Sequence, residues 1–392
     1  MEFELLHTPR ILFGAQQFQK IGTLIQEYGK KALIVANKGA LEEGRARQIL
    51  EQSIPAKNID FSFFIVKGEP EIEVIDQGVA QGYNLGAEVV VGVGGGSAVD
   101  GAKAIAALIT NGGSARDYME VIGKGFKVTK PTLPFIAVPT TAGTGSEITK
   151  NAVISAKKEG FKASIRSPLL VPSIAIIDPS LMITVPPDVT ARCGMDALTQ
   201  LIEPYTSNNA QPITDSLAEL GIKTVAGSIR QSYQKGKDLQ AREKMAFASL
   251  LGGICLANAG LGVVHAYASS MGGMFPIPHG TICAILLAPA LEINIRELKK
   301  INFNHPILRK YCYIAELLTN MTFDNAEEAH QALTEYLYDL TSFLNIPSLV
   351  EIDISSNNFP SIIEKAKKAS SMRYNPIQLN QQALEEILER AL

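Results

Sequence analysis

The stretch MDALTQLIEPYTS, residues 195–207, sets a carboxylate, Asp196, one turn before an amide, Gln200, in a segment whose apolar spacing is helical. Leu198, Leu201, Ile202 and Tyr205 form one stripe, and Asp196, Gln200 and Glu203 fall opposite it. On these residues alone the polar side reads as a solvated helix face, because polar pairs at i, i+4 are ordinary helix surface. The chain has five histidines: His7, His265, His279, His305 and His330. Two of them fall in GVVHAYASSMGGMFPIPHG, residues 262–280. His265 lies on a helix-like run, whereas Pro276, Pro278 and Gly280 fix His279 at a turn before the next helix. Imidazoles so placed can converge on a cation, although a lone histidine is more often a satisfied structural residue.

A second kind of chemistry resides in two glycine-rich turns. VVVGVGGGSAVDGAKAIAALI, residues 89–109, starts as a strand, passes through Gly94, Gly95, Gly96 and Ser97, and continues as a helix. Residues without a Cβ let the backbone approach a ligand, and the first amides of the helix then face it with the positive end of the dipole behind them. A pyrophosphate fits that description, with Asn37, Ser97 and Asp100 among the expected cofactor contacts; the plainer alternative is a tight turn with Ser97 or Asp100 acting only as caps. The spacing is not the strict G-x-G-x-x-G fingerprint. VPTTAGTGSEIT, residues 138–149, is a similar turn after another strand-like run. Its Thr140, Thr141, Thr144 and Ser146 hydroxyls suit phosphate or ribose oxygens, and Gly143 and Gly145 admit close backbone approach. Two such turns at strand ends of one sheet point to one nucleotide crevice. Asn37, after the run ALIVA, neither binds ribose hydroxyls as an acid would nor repels a 2′-phosphate. NAD and NADP both stay open, with Lys38 leaning toward tolerance of NADP.

The elements that must position these groups follow from periodicity. Runs at 32–36, 61–66, 88–93, 133–139 and 174–178 are continuously apolar, as strands buried on both faces are, and helical stretches such as 71–85 and 98–109 lie between several of them. That alternation predicts a parallel α/β sheet. From Thr190 onward the pattern is helical, near 190–205, 213–232, 240–258, 281–299, 306–319, 326–344, 360–370 and 378–391. The expected fold is an α/β dinucleotide-binding domain over 1–185 and an all-α metal and substrate domain over 186–392, divided at the Pro186-Pro187 pair. A chain of 392 residues is longer than one core normally serves.

Composition is that of an ordinary globular protein, 46% hydrophobic and 19% charged. The formal net charge of −3 and the lack of a basic run with interleaved aromatics argue against nucleic acid as a partner. No apolar run reaches the ~18–20 residues of a membrane span, and the N-terminus is not a secretory signal, so a cytoplasmic location is expected. Cys193, Cys255, Cys283 and Cys312 contain no C-x-x-C pair, which argues against a disulfide framework and a thiolate zinc site. They read as buried, unreactive thiols.

Four blocks, GGGSAVDGAK at 94–103, PTTAGTGSE at 139–147, GMDALTQLIEPYTS at 194–207 and VVHAYASSMGGMFPIPHG at 263–280, occur in an order and spacing that resembles the iron-containing (group III) alcohol dehydrogenases of the dehydroquinate synthase-like superfamily. The resemblance runs over nearly the whole chain and extends to KASIRSPLLVPSIAIIDPSL at 162–181. It implies a Rossmann-like N-terminal domain, a helical C-terminal domain and an active site in the cleft between them. It implies cofactor contacts from Gly94, Gly95, Gly96, Ser97, Thr140, Thr141 and Lys162. It also implies a divalent metal, iron or zinc, on Asp196, Gln200, His265 and His279, and a homodimer or larger homo-oligomer. The sequence departs from the family where Gln200 stands in place of a histidine ligand, and where Ser269 replaces a further active-site histidine. An amide oxygen suits a hard cation but is a poorer zinc or iron ligand than imidazole.

The expected activity is NAD(P)-dependent interconversion of an alcohol and an aldehyde or ketone. The cation would act as Lewis acid, and Ser269, Tyr267 or a cofactor ribose hydroxyl would relay the proton. Three alternatives stand beside it. One is metal-independent reduction of an activated carbonyl such as that of maleylacetate, with His265 and His279 as hydrogen-bond donors. Another is a nucleotide-binding protein with a decayed site, and a third is a lyase of the dehydroquinate synthase type, which the four blocks fit less well.

Overall fold

The computed structural model describes residues 2–42 and 45–392. The chain forms two compact units, one spanning Leu6–Val185 and the other Pro186–Leu392 with the short N-terminal stretch ending at Leu5.

In the first unit, β1 (Arg10–Phe13), β2 (Lys31–Ala36), β3 (Asp60–Ile65), β4 (Val89–Gly94), β5 (Phe135–Pro139) and β8 (Ile174–Ile177) make one six-stranded sheet in the order β1-β8-β5-β4-β2-β3. All its pairings are parallel. Alternate residues of one strand serve opposite cores: Leu33 and Val35 of β2 pack on one face, Ala32, Ile34 and Ala36 on the other. Two covered faces explain why the central strands are apolar without alternation. The chain goes from β2 out to β3 at the sheet edge and returns past β2 to β4, so strand order reverses between β2 and β4. Ligands of open α/β sheets bind outside the carboxyl ends of the strands at such a reversal.

The sequence reading omitted β1, a four-residue edge strand, and a second sheet. β6 (Asn151–Ala156) and β7 (Phe161–Arg166) form an antiparallel hairpin, so the unit is not wholly parallel. A buried lysine fastens this region to the helix Gly96–Asn111. Lys103 Nζ donates to the carbonyl oxygens of Ser146 (2.8 Å), Thr149 (3.1 Å) and Asn151 (2.8 Å). On the same helix, the Asp100 carboxylate accepts from the Ser146 hydroxyl and from Val153 N–H.

The second unit is helical. Its segments are Pro187–Thr206, Pro212–Ala226, Ile229–Gln234, Leu239–Ala259, Val263–Met274, His279–Ile301, Pro306–Thr319, Ala326–Phe343, Phe359–Lys368 and Gln381–Glu389. Three of them start at proline, which loses nothing at a position whose N–H has no helical partner. The single helix expected over 213–232 is two helices, broken at Gly227 and Ser228. The helix expected from residue 281 begins at His279, with Pro278 as its N-cap. Among the described residues no single helix is long and apolar enough to cross a membrane.

Burial around Lys103 has a measurable consequence. Desolvation pushes the neighbouring Glu147 carboxyl up to about 7 and the Lys103 ammonium down to about 8. A carboxyl whose folded pKa is raised binds more protons folded than unfolded, so its stability contribution is complete below the unfolded value and is lost as pH rises toward about 7. Unfolding followed by denaturant titration between pH 4.5 and 7 should show Glu147→Gln flattening this decline by on the order of 2–3 kcal/mol.

Candidate active site

The helix Pro187–Thr206 is buried on both sides. Asp196, Gln200 and Glu203 are only 2%, 2% and 6% exposed, so the face expected to be solvated is enclosed. What covers it is polar as well: the helices Val263–Met274 and His279–Ile301 bring in His265, His279 and Cys283. The periodicity that separated polar from apolar faces is correct, but it cannot tell a wet polar face from a buried polar cluster.

Side-chain roles follow from the rule that an ionised carboxylate can only accept. His265 Nδ1 lies 2.6 Å from Glu203 Oε2, and Val264 N–H donates to Glu203 Oε1 at 2.7 Å. The proton on His265 therefore sits on Nδ1, and Nε2 faces the cluster. That nitrogen is 3.4 Å from Asp196 Oδ1 and 3.9 Å from Cys283 Sγ. His279 Nε2 is 3.8 Å from the same Asp196 oxygen. Gln200 Nε2 donates to Asp196 Oδ1 at 2.8 Å, and its carbonyl Oε1 is buried without a hydrogen-bond partner. One ligand atom each from Asp196, His265, His279 and Cys283 lie within 4.8 Å of one another, a group that can hold a metal ion.

Among the described residues, no lysine or arginine pairs with Asp196 or Glu203, whose ion-pair partners are imidazoles. Burial opposes charging His265, yet Cys283, Asp196 and Glu203 outweigh it and hold its pKa well above the usual histidine value. Burial likewise opposes the Asp196 charge, and His265, His279 and Gln200 pull its pKa below the usual carboxylate range. The cluster thus demands positive charge at its centre.

Gly280 makes the convergence possible. A Cβ there would come within 2.4 Å of the Arg192 carbonyl oxygen, so the start of the helix His279–Ile301 rests directly on the backbone one turn before Asp196. Only glycine tolerates that approach. Starting the helix at His279 also puts Cys283 at i+4 on the same face.

In the other unit the two glycine turns meet. Gly94 ends β4 with φ of +151°, and a Cβ on it would lie 2.8 Å from Asn37 Oδ1. Thr140 N–H donates to the Gly94 carbonyl at 2.9 Å. The Thr141 and Thr144 side chains stand against Gly95 and Gly96, respectively. No side chain caps the first turn of the helix Gly96–Asn111, so its leading amides suit an anion. Asn37 Oδ1 is engaged by Ala40 N–H at 3.2 Å. Two expected contacts change role: the Asp100 carboxylate and the Ser146 hydroxyl bond each other, and Lys103 Nζ donates to that hydroxyl, so both side chains brace the turn. Lys162, on β7, pairs with Glu69 at 3.1 Å.

Ser269 is half-buried one turn after His265. Tyr267 is fully buried and donates to the Leu384 carbonyl at 2.8 Å; burial raises its pKa, so it is a core residue rather than a proton relay. A cavity of about 770 Å³ is lined by Arg192, Phe275, Pro276, Pro278, Thr281 and residues of the 344–353 loop. Asp196, His265 and His279 do not line it, so it neighbours the cluster rather than containing it.

Two family models cover almost the whole chain: Iron-containing alcohol dehydrogenase over residues 8–179, and Fe-containing alcohol dehydrogenase family, C-terminal, over 190–392. The chain belongs to the iron-containing alcohol dehydrogenase family. It is 36% identical to the 1,3-propanediol dehydrogenase of Klebsiella pneumoniae, across 97% of this chain and 96% of that one. It is 35% identical to alcohol dehydrogenase 4 of Saccharomyces cerevisiae strain ATCC 204508 / S288c, across 98% and 97%. The crystal structure of a 1,3-propanediol oxidoreductase superposes with a TM-score of 0.92 at 34% identity, covering 100% of both chains. A sulfoacetaldehyde reductase from Bifidobacterium kashiwanohense in complex with NAD+ gives 0.87 at 27% identity, covering 100% and 99%. The protein is therefore an oxidoreductase of the alcohol dehydrogenase type.

Sequence reasoning missed Cys283 and the part played by Glu203. Glu203 was legible as i+7 from Asp196, and Cys283 as i+4 from His279 had the helix been started at that histidine. For Glu203→Gln, the Val264 N–H would keep the amide oxygen and turn the NH2 toward His265 Nδ1. The imidazole proton would move to Nε2, and affinity for a divalent ion should fall about 10–100-fold, read by competition with a chromophoric chelator, while far-UV circular dichroism stays unchanged.

Proposed function

We propose that this alcohol dehydrogenase uses NAD or NADP and a divalent cation held by Asp196, His265 and His279 to interconvert a small alcohol with its aldehyde or ketone. The observation that carries the reading is the convergence of one carboxylate oxygen and two imidazole Nε2 atoms, at 3.4 and 3.8 Å from that oxygen, beside buried carboxylates that have no lysine or arginine partner among the described residues. The donor set fits iron or zinc. When bound, the cation supplies Lewis acidity to the substrate oxygen, and the nicotinamide supplies the hydride acceptor.

The chain's own residues do the positioning. Gln200 fixes the Asp196 carboxylate through its NH2 group, and Glu203 fixes the tautomer and ring plane of His265. The His279 side chain is 34% exposed, against 6% for His265. Substrate therefore approaches from the His279 side. Ser269, or a cofactor ribose hydroxyl, carries the proton.

The amides of Gly95, Gly96 and Ser97 bind the pyrophosphate, and the Thr140, Thr141 and Thr144 hydroxyls complete its cradle. Lys162 adds positive charge from the hairpin. Asn37 offers only its NH2 group to the adenosine ribose, because Oδ1 is engaged. Without an acid there, neither NAD nor NADP is rejected; the NAD+ complex of the sulfoacetaldehyde reductase supports NAD. A cytoplasmic homodimer or larger homo-oligomer completes the proposal, and the four free cysteines suit a reducing compartment.

Metal-independent carbonyl reduction is the weaker reading. Oxyanion stabilisation by His265 and His279 would place developing negative charge beside Asp196, with which no lysine or arginine pairs among the described residues.

The metal-assisted reading makes a paired prediction. Asp196→Ala should lose both the bound ion and turnover of a broad aldehyde panel, measured by elemental analysis and NAD(P)H oxidation, yet keep its NADH fluorescence titration. Gly96→Val, whose side chain would collide with Thr144 already 2.7 Å from a Cβ, should lose nucleotide binding and keep the metal. Full turnover after stringent chelation would refute the proposal.

A further inference from the structure

Resting on the metal reading above, we propose that Cys283 is the fourth protein ligand of the cation, bound as thiolate. Gln200 is then a positioning residue behind Asp196 rather than the member that completes the ligand set.

Cys283 is fully buried, and its sulfur lies 3.9 Å from His265 Nε2, the ring nitrogen left for the cluster because Glu203 takes Nδ1. Cys255 offers the contrast. It is equally buried, but its thiol donates to the Thr214 carbonyl at 3.4 Å, the ordinary fate of a structural cysteine. Around Asp196 Oδ1, His265 Nε2, His279 Nε2 and Cys283 Sγ the recorded separations are 3.4, 3.8 and 3.9 Å. Zinc bonds of about 2.0–2.3 Å directed to tetrahedral corners put ligand atoms about 3.3–3.6 Å apart. Along these three edges a contraction of at most a few tenths of an ångström is needed, and all separations among the four atoms lie within 4.8 Å.

Gln200 is oriented differently. The oxygen that receives its NH2 group is the same Asp196 Oδ1 that faces both imidazoles. A carboxylate accepts only, so the amide must turn its nitrogen there and its carbonyl away. The hydrogen bond aims the Asp196 oxygen, as a neighbour of a metal ligand does.

A carboxylate, two imidazoles and a thiolate form a softer donor set than oxygen and nitrogen alone, and select zinc over iron(II). As the metal–sulfur bond forms, the S–H bond breaks and its proton leaves to solvent; no atom changes oxidation state.

X-ray absorption at the zinc edge, on the full-length chain loaded with one equivalent of zinc, tests the assignment without reference to activity. One sulfur scatterer at about 2.3 Å is expected beside nitrogen and oxygen. It should vanish in Cys283→Ser, with zinc affinity at least about tenfold weaker; Gln200→Ala should keep the sulfur. Zinc held at one ion per chain by nitrogen and oxygen alone would overturn the thiolate and leave the metal reading standing. Failure to take up zinc, iron(II) or cobalt(II) at all would overturn both. Because the wild-type spectrum alone decides the sulfur, a misfolded Cys283→Ser variant would not rescue the proposal.

Discussion

Two carboxylates on one helix, Asp196 and Glu203, are enclosed by protein with imidazole as their charged partner. Burying a carboxylate costs several kcal/mol unless a countercharge or hydrogen bonds compensate. Much around them answers that cost. Val264 N–H and the His265 ring occupy the two oxygens of Glu203. Gln200 occupies Asp196 Oδ1, and His265 and His279 close on the same atom. The glycine at 280 is part of the same answer, since any side chain there would push the His279–Ile301 helix away from the Arg192 carbonyl. Helix packing and histidine tautomer in this unit therefore share one electrostatic cause.

The other unit solves a different problem: keeping backbone amides bare at the end of a strand. Gly94, Gly95 and Gly96 clear the space, and the second turn must then be held without filling it. Lys103 does this from behind by binding three successive-region carbonyls of the 146–151 loop. Asp100 takes the Ser146 hydroxyl and the Val153 amide, tying the hairpin to the same helix. The polar residues of these motifs thus divide into those left open at the strand ends and those spent on the brace. Their identity in the sequence does not reveal which is which.

That division marks the limit of what was legible. Continuous apolar runs identified the four inner strands, because burial on both faces leaves a pattern that short windows retain, and also the edge strand β3, which is apolar though only half-buried. β1 escaped because four residues at an edge carry little signal. The β6–β7 hairpin escaped because its strands, such as NAVISA with its alternating burial, differ from the doubly buried type seen elsewhere. Asp196, His265 and His279 were legible through the resemblance to a family, whereas Cys283 was not. FPIPHG reads as a turn lasting to Gly280, and only the observed helix start at His279 creates the i+4 relation. Tyr267 and Asp100 were misjudged for the opposite reason: a hydroxyl or carboxylate near a motif looks chemical until its internal partner is known.

The charge of the proposed ligand set separates this chain from the family pattern. An aspartate with three imidazoles leaves a divalent ion with one net positive charge, and replacing one imidazole by an amide leaves that sum unchanged. A thiolate from Cys283 cancels it. Neutrality favours burial of the ion, since a charged group in an enclosed site pays desolvation that a neutral assembly avoids. It also weakens the pull on substrate oxygen, because ligand charge donated to the metal lowers its Lewis acidity. Glu203 acts in the same sense: its charge behind His265 raises the ligand's basicity and tightens the site further. With the proposed ligand set, the arrangement trades electrophilic strength for retention of the metal.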